Sequence, residues 1–96
     1  MSIEEQLPAG WDLTRVRAMW PGAELLPPDA HRVYWSKGPH LRNELKAELI
    51  LNFGGMCLVR ALGDPAWWMG QLNQSDGSIV CWSQYGTDLE RAIQAL

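Results

Sequence analysis

The stretch 43–53 runs directly into Gly54-Gly55 and a second apolar run, and this junction constrains the chain more than any other feature. Paired glycines between such runs signal a tight hairpin, because a two-residue loop needs positive φ at its central positions and glycine adopts it without steric cost. The stretch 43–53, NELKAELILNF, has good helical propensity. Yet Lys46, Glu48 and Asn52 alternate with Ala47, Leu49, Leu51 and Phe53, as a half-buried strand requires, and the hairpin decides for strand. The loop then sets the register: Phe53 opposite Met56, Leu51 opposite Leu58, Leu49 opposite Arg60 and Ala47 opposite Leu62. That face is the expected core. The other, with Lys46, Glu48, Ile50, Asn52, Cys57, Val59 and Ala61, reads as only partly covered.

The rest of the chain supplies a meander around this hairpin. Residues 1–10 read as a loose arm. Asp12 stands at an N-cap position, with Leu13, Val16 and Trp20 at helical spacing until Pro21-Gly22 ends a short helix. The breakers Pro21, Gly22, Pro27 and Pro28 make 21–30 an extended connector, and 31–37 a first strand stopped by Gly38-Pro39. Gly63-Asp64-Pro65 turns the chain into a strand at 67–73, and Gln74-Ser75-Asp76-Gly77 turns it into another at 78–85. Thr87 and Glu90 form a capping box, after which Leu89, Ala92, Ile93 and Leu96 share one helical face. The expected fold is α+β: a four- to five-stranded antiparallel meander sheet with a short N-terminal helix and a capped C-terminal helix.

Composition bounds what such a fold can be used for. The 96 residues are 47% hydrophobic and 20% charged, enough for one core, so 1–96 is read as a single domain. No apolar run approaches the roughly 18 residues of a spanning helix, and the first ten positions carry Glu4 and Glu5 where a secretory leader would be basic and then apolar. A cytoplasmic protein without a membrane partner is expected. Eight Lys and Arg against eleven Asp and Glu leave a net charge of −3, which argues against direct nucleic-acid binding and suits a basic protein partner.

Chemistry-bearing residues are scattered. Cys57 and Cys81 fall mid-strand and read as reduced core thiols, with no disulfide. With His31 and His40 they lack any paired ligand spacing, so neither a metal nor another cofactor is expected. Ser36, Ser75, Ser78 and Ser83 lie in no nucleophile-elbow context, and Asp88 and Glu90 belong to the helix start. The chain reads as a non-enzyme; a small enzyme using His31 or His40 is the second alternative. Six tryptophans beside a single phenylalanine are the unusual abundance. Adjacent Trp67 and Trp68 must point to opposite faces of a strand. If Asn73 pairs with Ser78, Trp67, Met69 and Trp82 share one face while Trp68, Leu72, Ile79 and Cys81 share the other. Either one helix covers each face, or a tryptophan patch lies open and marks an interface; the pattern leaves open which of Trp67 and Trp68 would be exposed.

The tail from Trp67 to Leu96, especially GSIVCWSQYGTDLERAIQAL, resembles the ends of small proteins encoded beside bacterial polymorphic toxins, among them immunity proteins of contact-dependent growth inhibition systems. The resemblance implies a small, acidic, cytoplasmic protein that neutralises a cognate toxin domain by occluding its active site. It points to a nuclease as the commonest partner, whose basic cleft would suit an acidic plug. Binding residues vary from pair to pair in such families, so none carries over. The candidate contacts come from the residues themselves: Asp64 near Trp67, Asp76 in the neighbouring loop, Glu48 on the partly polar face, and the rings of Trp67, Trp68 and Trp82. The first alternative is a structural or adaptor module that associates through a Trp-rich sheet face.

Overall fold

The computed structural model describes residues 7–8, 10–38 and 41–96. Two helices, α1 (Leu13–Met19) and α2 (Leu89–Gln94), accompany seven strands: β1 (Glu24–Leu26), β2 (Val33–Gly38), β3 (Leu41–Leu45), β4 (Ala47–Phe53), β5 (Met56–Ala61), β6 (Trp67–Leu72) and β7 (Ile79–Gln84). All seven form one sheet in the order β1-β4-β5-β6-β7-β2-β3. The class is α+β, as expected, but the sheet is larger than four or five strands. Three residues of the supposed connector 21–30 pair with β4 as an edge strand, and Pro28–Ala30 adds a 3-10 turn. The single strand read at 43–53 is divided at Lys46 into β3 and β4. The meander β4-β5-β6-β7 is antiparallel throughout, whereas β2 joins β7 in parallel.

This strand order forces the sheet to curl. β3 lies at one edge and β4 next to the opposite edge, yet only Lys46 separates them. Similarly, β1 and β2 lie five strand spacings apart, roughly 24 Å on a flat sheet, and are joined by residues 27–32 with a 3-10 turn among them. Neither connection spans a flat sheet, so it bends into a barrel left open between β1 and β3. Its inner face collects residues from every strand: buried Val33, Ile50, Cys57, Val59, Ile79 and Cys81, with Leu26, Trp35, Leu45, Ala47, Trp68 and Leu72 packed against them.

The outer face carries the second core. Leu49, Leu51, Phe53, Leu58, Trp67 and Met69 pack under Val16 of α1 and Leu89, Ala92 and Ile93 of α2. Both helices therefore cover the same face, over β4 to β6, in place of one on each face; the inner face is covered by the curl. Ile50, Cys57 and Val59, on the face expected to be partly covered, are fully buried for the same reason, whereas Glu48 and Asn52 are half-buried and Lys46 is exposed.

Local signals explain most elements. Gly54 and Gly55 have φ of 68° and 108°, and the hairpin pairs Phe53 with Met56, Leu51 with Leu58 and Leu49 with Arg60. An irregularity at Glu48 then pairs Ala47 with Ala61, leaving Leu62 in solvent at 66% exposure. Asp12 caps α1 by accepting from the Arg15 amide at 2.7 Å. α2 is capped by Asp88, which accepts from the amides of Glu90 and Arg91, so the cap expected at Thr87 moves one residue on. Leu7 is buried in the outer core, so the arm read at 1–10 is anchored there; 1–6 and 9 lie outside the described residues.

Candidate functional site

Five of the six indoles are held by the two cores. Trp67 is fully buried on the outer face, with the Arg60 guanidinium 5.6 Å from its ring centroid. Trp68 points inward and tilts against Trp35 at a centroid distance of 5.8 Å; its Nε1 is buried without a hydrogen-bond partner among the described residues. Trp11 and Trp20 pack on the outer core, Trp20 edge-on to Phe53 at 5.9 Å. The predicted division of residues between the faces of β6 and β7 is the observed one for Trp67 and Met69 and for Trp68, Leu72, Ile79 and Cys81. Neither member of the Trp67-Trp68 pair forms the open patch.

Trp82 does. Met69 pairs with Ser83 and Gly70 with Cys81, so Trp82 is the extra residue of a bulge in β7. A bulge re-aims the side chain it carries, and the Trp82 ring is 48% exposed. It borders a depression of about 420 Å³ lined by Gln71, Leu72, Asn73, Gln74 and Val80. The surrounding turn is held by its own polar groups. Asn73 Oδ1 accepts from the Ser75 amide at 2.9 Å, Asp76 Oδ1 accepts from the Ser78 amide and hydroxyl at 2.9 and 2.7 Å, and the Asn73 amide donates to the Ser78 carbonyl at 2.7 Å. His31 braces it from outside, Nδ1 lying 2.7 Å from the Gly77 carbonyl oxygen. The resulting wall is anchored and mixed, with Gln71, Asn73 and Gln74 beside apolar Leu72 and Val80 and an indole at its edge.

The acidic candidates do not converge on that ring. Glu48 and Asp64 line a separate depression of about 310 Å³ with Arg60, Gly63 and Pro65. Glu48 is engaged there by Arg60 Nε at 3.3 Å, and Asp64 accepts from the Ala66 amide at 3.0 Å and from Gln84 Nε2 at 3.4 Å. Asp76 lines a third hollow with Ala30, Arg32, Tyr34 and Ser78. Among the described residues the other large exposed apolar side chains are Leu62, which was expected on the core face opposite Ala47, and Tyr85, at 39%, which the sequence did not single out. Their exposure follows from the β4 irregularity and from the strand end, which no local pattern marks.

Cys57 and Cys81 are free, buried thiols of the inner core, and burial pushes both up to about 12. Among the described residues no three His, Cys, Asp or Glu side chains gather as a metal site. His40 lies outside the described residues. No helix among them is long and apolar enough to cross a membrane. Compared with known proteins, the chain matches no family model, no curated protein and no solved structure.

Proposed function

We propose that this protein is a non-catalytic immunity protein that binds a cognate toxin domain, a nuclease, and occludes its active site, with Trp82 as the central anchor. The observation that carries the reading is the Trp82 bulge: the other five rings are used in packing, and this one is turned outward beside a depression of mixed polar and apolar lining. Half-exposed indoles flanked by polar groups are typical hot-spot anchors. The acidic balance of the chain, with Asp64 and Asp76 near the surface turns, suits a basic partner and speeds encounter, whereas the indole slows dissociation. Trp67, being buried, contributes through stability alone.

The test is a titration of the toxin domain encoded beside this gene, scored for binding and for loss of its activity. Complete inhibition at one equivalent is expected. Trp82→Ala should weaken binding by about 30-fold or more, through a faster off-rate. Charge reversal at Asp64 or Asp76 should lower the on-rate and its salt sensitivity. Inhibition persisting far below one equivalent would mean turnover, and unchanged binding by Trp82→Ala would move the interface elsewhere.

A further inference from the structure

The described residues that line the depression beside Trp82 carry no charge: Gln71, Leu72, Asn73, Gln74, Val80 and Trp82 itself. The carboxylates of Glu48, Asp64 and Asp76 line other hollows. What sits against the ring is therefore selected by hydrogen bonds and apolar contact, with charge acting from elsewhere. The depression is rich in donors. An indole N–H can only donate. Asn73 Oδ1 already accepts from the Ser75 amide at 2.9 Å, so what Asn73 offers a ligand is its amino group. Gln71 and Gln74 add two more carboxamides at exposed positions, beside half-buried, apolar Leu72 and Val80.

A second exposed ring lies further along the same stretch of chain. Tyr85 follows Trp82 by three residues, roughly 10 Å in extended backbone, and its amide donates to the Trp67 carbonyl at 2.9 Å, which keeps the chain against β6 there. That spacing is about one turn of a polyproline II helix, which has three residues per turn and rises about 3.1 Å per residue.

The complement of such a surface has acceptors without donors, apolar flanks and no charge. A proline-rich segment in the polyproline II conformation has all three: its prolines lack an N–H, its carbonyls make no internal hydrogen bonds, and its rings are apolar. We propose that the Trp82 depression receives an uncharged, proline-rich segment of the partner, laid along β7 with one prolyl ring on Trp82 and the next turn against Tyr85. The inference rests on Trp82 being the partner-facing ring, and it names what that ring receives. An extended β segment fits less well, because each of its residues brings an N–H that the engaged Asn73 oxygen does not serve. A neutral sugar likewise presents hydroxyl donors in number. The receiving surface is also stiff: Gln71 pairs with Val80 across β6 and β7, and Asn73 and Asp76 tie the turn. A pre-formed segment on a stiff surface loses little conformational freedom on binding.

Decaproline is the probe, titrated into the full chain and followed by nitrogen-15 correlation spectra in which the Trp82 indole signal is assigned by its loss in Trp82→Phe. Saturable shifts of that signal and of the Gln71, Asn73 and Gln74 side-chain amides are expected, with an affinity indifferent to salt between about 0.05 and 0.5 M. Trp82→Ala should weaken binding by about tenfold or more and Tyr85→Ala by about threefold or more, with circular dichroism and thermal melting verifying that both are folded. Gln74→Ala, at an exposed position, should weaken it too and serves as the second variant. A decapeptide of alternating glycine and serine, with equal carbonyls but neither rings nor stiffness, should not bind, nor should maltohexaose. Absence of saturable shifts with decaproline, equal binding of either control, or unchanged affinity in Trp82→Ala would each overturn the proposal. Decaproline binding by a chain that fails to inhibit the neighbouring toxin domain would remove the immunity reading and leave this one standing. Toxin binding that saturating decaproline does not displace would do the reverse.

Discussion

Asp88 and Thr87 separate two ways of starting α2. Because the Asp88 carboxylate accepts from the amides of both Glu90 and Arg91, Asp88→Ala should cost about 1 kcal/mol, whereas Thr87→Ala should leave the urea midpoint nearly unchanged. Gly70 is the most closely packed of the described glycines. It pairs with Cys57 on one side and Cys81 on the other, and a Cβ there would lie 2.8 Å from the Cys81 sulfur, 2.9 Å from the Val80 carbonyl oxygen and 3.0 Å from Ile79 Cγ2. Gly70→Ala should cost about 1–3 kcal/mol. Adding Cys81→Ala should recover only part, since the carbonyl cannot move aside. The two thiols sit two strand spacings apart, roughly 10 Å between Cα atoms, beyond the reach of a disulfide without backbone movement. Their titration has a definite sign. Burial raises both from 9.0 to about 12, so above pH 9 the unfolded chain loses thiol protons that the folded chain keeps. The stability they contribute is complete below that pH and declines as pH rises toward about 12. Urea midpoints between about pH 8 and about pH 10.5 should fall less steeply when both cysteines are replaced by alanine.

Among the elements, α2 is short and derives its stability from what it covers. Leu89, Ala92 and Ile93 are buried against the face bearing Trp67 and Met69, so Leu89→Ala or Ile93→Ala should each cost about 2–5 kcal/mol, more than the loss of the cap. Equilibrium denaturation distinguishes the two contributions. The strand pair β6-β7 behaves differently, because its bulge adds a residue that no core position needs. Trp82→Phe should therefore leave the denaturation midpoint nearly unchanged while removing most of the fluorescence that acrylamide can quench. A large loss of stability would show the ring to be packed.

The molecule measures 38 × 24 × 24 Å, with two cores separated by one curled sheet. β4, β5 and β6 have neighbours on both edges and apolar layers on both faces, so their amides should exchange slowest and at the global unfolding free energy. β1 and β3, each paired on one side among the described residues, should exchange faster. Closing the barrel requires β2 to find β7, pairing Val33 with Ile79 far along the chain. Non-local pairing of this kind is slow, and folding in milliseconds to seconds is expected in stopped-flow refolding.

What is legible in the chain is what depends on near neighbours. Gly54-Gly55 specifies a hairpin because positive φ is a local property, and period-two alternation assigns Leu51 and Leu58 to one face and Cys81 to the other. Asp12 and the Leu89, Ala92, Ile93 stripe mark their helices for the same reason. Three features were beyond such reasoning. Lys46 breaks one strand into two only because β3 must pair with β2 and β4 with β5, and the curl that follows buries Ile50, Cys57 and Val59 without any helix above them. The three residues of β1 form a strand only because β4 offers an edge. Trp82 faces solvent because a bulge shifts β7 against β6. Each arises from pairing between segments distant in sequence, where the free energy lies in contacts that neither segment contains.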